Sequence, residues 1–404
     1  MSKSHSPKPL NFEQTLDLPR VSLSSIASLL GAAAVFLLPA LLLPTSAKAL
    51  ECGEFTFPKC SGDDVQYAGG FEPKVGHGGF GGGACTATKT PVVFIHGNGD
   101  RAITWASPVV GAVEGHVPPK RSVYDEFKRR GYNDCELFGL TYLTPDEQEN
   151  AGGNYHRPEK YVIVHDFINA VKAYTGKDKL DLVTHSLGVS MTLAALKHHD
   201  AWQSVRRFVN IAGGIKGLNS CFFVGPANPL ATTCGSESFL EADVFGFYPD
   251  SMFAPNGWTG SNRSHSLRHA PRNHPDVSFY TVHAGQNDEI HCTTVQGWDD
   301  CGKGALFKKA PNVKAQLNLG AGSRASQVDW DLSDGSPWNQ MGGDTDGVGH
   351  FKAKNNSGQI LHTILNTECE GLTCKGDYTG GPVKDRDDAP TSDTQAAVGA
   401  GIRD

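Results

Sequence analysis

Several common features are missing from this chain, and each absence excludes a class of function. The ten cysteines include no C-x-x-C pair, so the sequence does not predict a zinc site or any other metal site. Acidic residues outnumber basic ones by 43 to 36 and no basic patch is present, which argues against a nucleic-acid partner. The glycine-rich stretch 66–83 lacks the G-K-[ST] ending of a phosphate-binding loop, so we interpret it as an ordered surface loop.

The N-terminal region has the pattern of a secretory signal peptide. Basic residues precede an uncharged apolar run over 26–43, and an A-x-A cleavage site ends at Ala49. We therefore expect residues 1–49 to be removed and the protein to be secreted to the extracellular space. A membrane anchor is the alternative, because the run is nearly long enough to span a bilayer. No later stretch is apolar enough to cross a membrane.

All ten cysteines lie beyond Ala49, and an even number of cysteines in an exported chain predicts disulfide bonds. The sequence does not determine the connectivity. Short local loops are the simplest arrangement, and they leave one longer bridge. The expected pairs are Cys52–Cys60, Cys221–Cys234, Cys292–Cys301, Cys369–Cys374 and Cys85–Cys135.

Strands and helices alternate along the part of the chain that follows the signal segment. This alternation predicts an α/β fold, in which a mostly parallel sheet is covered by helices on both faces and binds ligands at the carboxyl ends of its strands. One catalytic domain is expected over 50–381, and a disordered tail over 382–404, where apolar periodicity is absent. The predicted strands cover 91–95, 137–142, 180–183, 208–211, 277–282 and 313–319, and the predicted helices cover 122–130, 159–174 and 187–197.

A long aromatic-rich insertion, at about 215–275, precedes the strand predicted at 277–282. Insertions of this length in compact domains are usually functional. The aromatic side chains either form a small satellite core or provide an apolar surface that grips an apolar substrate. For the second case, the expected substrate contacts are Phe245, Phe247, Tyr248 and Trp258.

The stretch around Ser186 has the strand–turn–helix pattern of a nucleophile elbow. An apolar strand over 180–183 leads into this serine, and a helical pattern begins directly after it. Thr184 occupies the place of the first glycine of the usual G-x-S-x-G motif. His185 lies beside the serine but is expected to pack in the core rather than to transfer protons.

A nucleophilic serine needs a base and an orienting acid, and in this architecture they follow it in the order acid, then histidine. Asp288 lies in the loop after the strand predicted at 277–282 and is the leading acid, with Glu289 as the second candidate. His350 follows two glycines that allow the backbone to turn, and it is the expected base. His362 is the rival, but it lies in a segment with a helical pattern.

An oxyanion hole requires two backbone N–H donors. The residue after the nucleophile supplies one, which is Leu187 here. The loop after the strand at 91–95 supplies the other, and Asn98 is our choice. The alternative for this loop is a tight turn without a catalytic role.

The combined motifs resemble a known family. The stretches PVVFIHGNGD, VTHSLGVSM and DGVGHF are similar to α/β-hydrolase lipases. Together with QYAGGFEPKVGHGGFGGGACTATKT, RGYNDCELFGLTY, FVNIAGGIKGL and NVKAQLNLGAGS, they resemble the extracellular polyhydroxyalkanoate depolymerases that attack native, amorphous poly(3-hydroxybutyrate). The resemblance extends from about Leu50 to Pro382. The chain differs in having Thr184 and Leu187 where the family has alanine and methionine, and in an insertion with fewer tyrosines and more phenylalanines.

This resemblance implies a secreted serine esterase with an α/β-hydrolase fold and no separate substrate-binding domain. The family roles fall on Ser186 as nucleophile, Asp288 as acid, His350 as base, and Asn98 with Leu187 as oxyanion donors. The expected partner is a hydrophobic polyester granule or a lipid-like ester, with no cofactor, no nucleic acid and no stable membrane insertion after signal cleavage, and we expect a monomer. The alternatives are a secreted triacylglycerol lipase or carboxylesterase and, less favoured, a non-catalytic polymer-binding protein.

Overall fold

A computed structural model describes ten stretches of the chain: residues 54–55, 57–58, 64–107, 119–218, 221, 228–235, 246–248, 267–292, 301–320 and 348–385. The predicted signal peptide and its cleavage site lie outside these residues. So do Phe245, Trp258 and the predicted Cys52–Cys60 pair.

Within the described residues, nine strands form one sheet. They are β1 (Val65–Tyr67), β2 (Gly78–Gly81), β3 (Val92–Ile95), β4 (Leu137–Thr141), β5 (Leu180–His185), β6 (Val205–Ile211), β7 (Ser278–His283), β8 (Val313–Asn318) and β9 (Lys384–Asp385). Their spatial order is β1-β2-β4-β3-β5-β6-β7-β8-β9. The strands from β4 through β3 to β8 run parallel, whereas β2 is antiparallel to β4 and β9 to β8.

Along the chain, the α-helices of the described part lie between these strands. They are α1 (Val123–Arg129), α2 (Pro145–Glu149), α3 (Pro158–Thr175), α4 (Leu187–His198), α5 (Ala270–Asn273), α6 (Glu289–Cys292), α7 (His350–Asn355) and α8 (Gly358–Asn366). Short 3-10 helices cover Ala102–Ala106, Asp134–Glu136, Ala151–Gly153, Trp202–Ser204, Thr232–Cys234, Leu267–His269, Gly285–Asn287, Cys301–Lys303 and Gly371–Lys375. Within the described residues, no helix is both long enough and apolar enough to cross a membrane.

The predicted fold class, an α/β-hydrolase with a mostly parallel sheet and flanking helices, is confirmed by this topology. Along the chain, the segment 215–275 lies between β6 and β7, and most of it is outside the described residues. Since the central strands are parallel, their carboxyl ends meet at one edge of the sheet. The loops that follow β3, β5 and β7 are therefore neighbours in space.

The core has two layers because alternate residues of each central strand face opposite sides of the sheet. Along β3, Val93 and Ile95 pack into the layer that contains α3 and α4. Val92 and Phe94 pack into the other layer, with α1 and α8. Because β3 is buried on both faces, it is a continuous apolar run, and the sequence identifies it for this reason.

The glycine-rich stretch is a correction to the sequence interpretation. Residues 78–81 are not part of a surface loop but form β2, a buried strand between β1 and β4. Gly79 has φ +139°, and a Cβ atom there would collide with the carbonyl oxygen of Gly139 on β4. The strand thus needs glycine for close approach to its neighbour, and glycine leaves no apolar pattern that a sequence can show.

The described part of the chain contains three disulfide bonds, and their pairings are among those that the sequence favours: Cys85–Cys135, Cys221–Cys234 and Cys369–Cys374. The side chains of Cys292 and Cys301 lie outside the described part. The boundary of the tail also needs correction, because Lys384–Asp385 pair with β8 as an edge strand. Backbone hydrogen bonds hold these two residues where no side-chain periodicity predicted them, and residues 386–404 are not described.

Candidate active site

Ser186 occupies a sharp turn between β5 and α4. Its backbone has φ 52° and ψ −124°, a conformation that non-glycine residues rarely adopt. The N–H of Ser186 donates to the carbonyl of Ile211 at the end of β6, which fixes the turn. A Cβ atom at Gly188 would collide with the carbonyl oxygen of His96, so the second glycine of the motif is required for this close contact.

Thr184 fits the elbow because β6 satisfies its hydroxyl group. This residue is fully buried, and its Oγ1 donates to the carbonyl oxygen of Val209 at 2.9 Å. A buried hydroxyl without a partner would be costly, whereas this one completes a bond between neighbouring strands. The departure from glycine at this position therefore leaves the geometry of the turn intact.

Three side chains from separate loops form a hydrogen-bonded chain at the carboxyl edge of the sheet. His350, the first residue of α7, places Nε2 2.9 Å from Ser186 Oγ. Its Nδ1 lies 3.0 Å from both carboxylate oxygens of Asp288, which follows β7. Because a carboxylate only accepts hydrogen bonds, we assign the ring proton to Nδ1, so that Nε2 accepts from the serine hydroxyl.

Glu289 contacts a different part of His350 from Asp288. Its Oε2 accepts the backbone N–H of His350 at 2.8 Å, whereas the His350 ring is bonded to Asp288. Asp288 Oδ1 also accepts the backbone N–H groups of Ile290 and His291, at 3.1 and 2.9 Å. Of the two candidate acids, the structure thus places Asp288 at the ring and Glu289 at the backbone.

The charges of the site favour an ion pair between acid and base. Burial would raise the pKa of Asp288, but nearby His291 and His350 hold it well below its ordinary value. Burial would likewise lower the pKa of His350, but the charge and hydrogen bond of Asp288, with Glu289, raise it above 6.5. The carboxylate therefore stabilises the imidazolium that forms when His350 takes a proton.

The raised pKa of His350 predicts the direction in which activity changes with pH. His350 must be neutral to accept a proton, and its pKa lies above the ordinary value of 6.5, so kcat/KM falls as pH drops through that raised pKa. The measurement is kcat/KM on a soluble p-nitrophenyl ester from pH 5 to 9. His362→Gln, at the rival histidine, should leave the profile unchanged. An acid limb centred below pH 6 in the wild type would contradict the assignment.

Two backbone N–H groups near Ser186 are suited to hold a negative oxygen. Those of Leu187, at the start of α4, and Asn98, in the loop after β3, donate to no group within the described residues. The Asn98 side chain is fixed, because its Nδ2 donates to Ala151 and its Oδ1 accepts from Asn154. Their role as the two donors of an oxyanion hole remains a prediction from the sequence.

His96 orients the loop that carries Asn98. Burial lowers the pKa of His96 to about 4, so its ring is neutral at pH 7. Its Nδ1 donates to the carbonyl of Gly97 at 2.7 Å, and its Nε2 accepts the N–H of Tyr142 at 3.3 Å. In a trans peptide the Gly97 carbonyl and the Asn98 N–H point in opposite directions, so fixing one also fixes the other.

A pocket opens at the nucleophile. Its lining is mostly apolar and includes parts of the insertion. The residues are Asn98, Ser186, Gly214, Leu218, Thr233, Phe247, Ile290, His291, His350 and Phe351. Of the four aromatic residues expected to contact substrate, Phe247 lines this pocket. Tyr248 is buried but is not part of the lining, and the other two lie outside the described residues.

Sequence reasoning missed several pocket residues. His291 follows Asp288 by three residues in α6 and Phe351 follows His350 directly, so their spacing from the triad was the available signal. Thr233 had no such signal, because the fold of the insertion brings it to the site. His185, expected to pack, is buried, and its Nε2 lies 3.2 Å from the carbonyl oxygen of His350.

In the part of the chain that the structure describes, one group of side chains has the spacing of metal ligands. It consists of Asp288, His291 and His350, whose ligand atoms lie within 4.8 Å of one another. The hydrogen bonds of His350 to Asp288 and Ser186 already account for two of its members. The absence of a metal from the mechanism remains a prediction from the sequence.

Comparison with known proteins relates the chain to lipases. Residues 89–253 match the family model described as lipase (class 2), which is less than half of the chain. No curated protein is significantly similar in sequence.

Solved structures that are similar include Bacillus licheniformis lipase BlEst2 in its propeptide form, with 16% identity, a TM-score of 0.39 and coverage of 71% of this chain and 53% of that one. Aspergillus fumigatus lipase B gives 16% identity, a TM-score of 0.42 and coverage of 73% and 57%. The chain thus spans little more than half the length of these two proteins.

Proposed function

We propose that this lipase-like α/β-hydrolase is a secreted serine esterase that hydrolyses short-chain poly(3-hydroxyalkanoate), chiefly poly(3-hydroxybutyrate). The observation that carries the proposal is the hydrogen-bonded chain from Ser186 through His350 to Asp288, which ends at a pocket with a mostly apolar lining. Such a chain makes a serine hydroxyl nucleophilic, and the pocket can bind the apolar part of an ester.

In the first half of the reaction, Ser186 Oγ attacks the ester carbonyl while His350 Nε2 takes its proton. The carbonyl oxygen becomes negative and accepts hydrogen bonds from the N–H groups of Leu187 and Asn98. His350 then returns the proton to the departing alkoxide, which leaves as an alcohol. The acyl group remains bound to the serine oxygen.

In the second half, water takes the place of the alcohol. His350 removes a proton from this water, and the resulting hydroxide attacks the acyl carbonyl. The bond between the acyl carbon and Ser186 Oγ then breaks as His350 returns the proton to Oγ, and the acid is released. Throughout, Asp288 keeps the ring proton on Nδ1 and stabilises the imidazolium. Each step moves a proton between His350 and an oxygen atom, and the described side chains suffice for it.

The resemblance of the motifs to polyhydroxyalkanoate depolymerases supports the polyester as substrate. The match of residues 89–253 to class 2 lipases supports the second candidate, a secreted triacylglycerol lipase or carboxylesterase that would use the same triad. The signal-peptide pattern supports secretion, and the three disulfide bonds fit an oxidising compartment. A non-catalytic polymer-binding protein would have no use for an assembled triad.

The two substrates can be separated by one paired assay. Release of acid from amorphous poly(3-hydroxybutyrate) granules is measured beside release from tributyrin emulsions at equal ester concentration. We expect faster clearing of the granules, because the motif resemblance extends over nearly the whole chain beyond residue 50. Equal or faster release from tributyrin would instead support the lipase, and release from neither would contradict both.

A further inference from the structure

The pocket at Ser186 contains two buried polar atoms that its described surroundings leave without a hydrogen bond. One is Oγ1 of Thr233, and the other is Nε2 of His291. The other side chains around them are mostly apolar, among them Leu218, Phe247 and Ile290. Burying such atoms is unfavourable unless a partner is supplied, so the bound substrate is the natural source of that partner.

Thr233 is held rigidly at this position. It belongs to the 3-10 helix Thr232–Cys234, whose last residue forms the disulfide bond with Cys221. The carbonyl of Thr233 accepts the N–H of Phe247 at 2.9 Å, which joins two parts of the insertion. A side chain on such a support presents its hydroxyl in a fixed place, as recognition of a substrate requires.

His291 is fixed in one tautomer. Burial lowers its pKa, so the ring is neutral near pH 7. The ring hydrogen-bonds to the backbone of Ala212, whose own N–H already donates to Val282, so the ring must donate to the Ala212 carbonyl. Nδ1 lies 3.7 Å from Asp288, and Nε2 has no partner within the described residues, so the proton belongs on Nδ1. Nε2 is then a pure acceptor, and only a donor such as a hydroxyl group can satisfy it.

We propose that Thr233 and His291 determine specificity by recognising oxygen atoms on the acyl chain, and that the site therefore prefers 3-hydroxyacyl esters to plain alkyl esters. His291 Nε2 accepts a hydrogen bond from the 3-hydroxyl group. Thr233 Oγ1 donates to a carbonyl or to the oxygen of the same hydroxyl. Both residues line the pocket with Ser186 and Asn98, where the acyl carbonyl reacts. This inference rests on the proposed ester hydrolysis at Ser186.

An unsubstituted fatty acyl chain carries no group that can hydrogen-bond to Thr233 Oγ1 or His291 Nε2. Such a chain would leave both atoms unpaired when bound, and a site selective for hydrogen-bonding substrates rejects analogues in this way. The distinction bears on the two candidate functions, because the hydroxyl-terminal unit of a polyester fragment carries a free 3-hydroxyl group and triacylglycerol acyl chains do not.

The test compares two soluble esters that differ by one oxygen atom, p-nitrophenyl 3-hydroxybutyrate and p-nitrophenyl butyrate. We expect the wild type to favour the hydroxy ester in kcat/KM. Thr233→Val, which keeps the shape and removes the hydroxyl, should lower that preference roughly fivefold, mainly through KM. His291→Phe should lower it as well. Thr379→Val makes the same change at an exposed threonine and should leave the ratio as in the wild type.

The outcomes separate this inference from the proposed function. A wild type that hydrolyses neither ester contradicts the proposed ester hydrolysis. A wild type that hydrolyses both, with a ratio that Thr233→Val and His291→Phe leave unchanged, overturns the specificity proposal while the esterase stands. Equal loss on both esters in His291→Phe would show that this residue only supports Asp288, and would overturn its role in recognition.

Discussion

Asp288→Asn should lower kcat by about 10⁴-fold with little change in KM. The amide that replaces the carboxylate can donate to His350 Nδ1, and it then forces the ring proton onto Nε2. In that tautomer Nε2 no longer accepts from Ser186, although the 2.9 Å spacing between the two atoms is retained. Steady-state kinetics on a soluble p-nitrophenyl ester measures the loss.

Glu289→Gln is the matched control, because it makes the same chemical change at the adjacent acid. Glu289 accepts the backbone N–H of His350, and the glutamine oxygen can accept the same bond. We expect a loss below about tenfold for Glu289→Gln, since one neutral hydrogen bond is retained. A larger loss from Glu289→Gln than from Asp288→Asn would show that the acids are assigned in the wrong order.

Ser186→Ala should lower kcat by about 10⁶-fold, because no other group is placed to form the acyl-enzyme. A second serine–histidine contact provides the control variant, Ser190→Ala. Ser190 Oγ lies 2.5 Å from His156 Nε2. Both residues are buried away from the pocket, and burial lowers the pKa of His156 to about 3. Ser190→Ala should therefore retain turnover within about tenfold of the wild type. If Ser190→Ala lost activity while Ser186→Ala kept it, the choice of Ser186 as nucleophile would be contradicted.

The central strands could be predicted because their burial leaves a pattern of apolar residues in the sequence. Strand β3 is buried on both faces and appears as a continuous apolar run, and β5 begins with the mostly apolar stretch 180–183. The positions of Asp288 and His350 followed from one rule, that the site lies where parallel strands end. The chain order of the triad then left few candidates.

Other features depend on contacts that the sequence does not show. Strand β2 consists mostly of glycine, and its reason for being a strand lies in its close approach to β4. The sequence does not show that the hydroxyl of Thr233 and the ring of His291 lie at the pocket of Ser186, because only the fold brings them there. A polar atom is recognised as unpaired only once its neighbours are known.

The most direct test of the account is covalent labelling with a p-nitrophenyl phosphonate, followed by mass spectrometry of the digested protein. A phosphonate reacts with a serine activated by a base and mimics the negative oxygen that Leu187 and Asn98 are placed to hold. The account predicts one adduct per chain, on the peptide that contains Ser186, and no adduct in Ser186→Ala. Labelling of Ser186→Ala at the wild-type rate, or no labelling of a wild type that still hydrolyses esters, would contradict it.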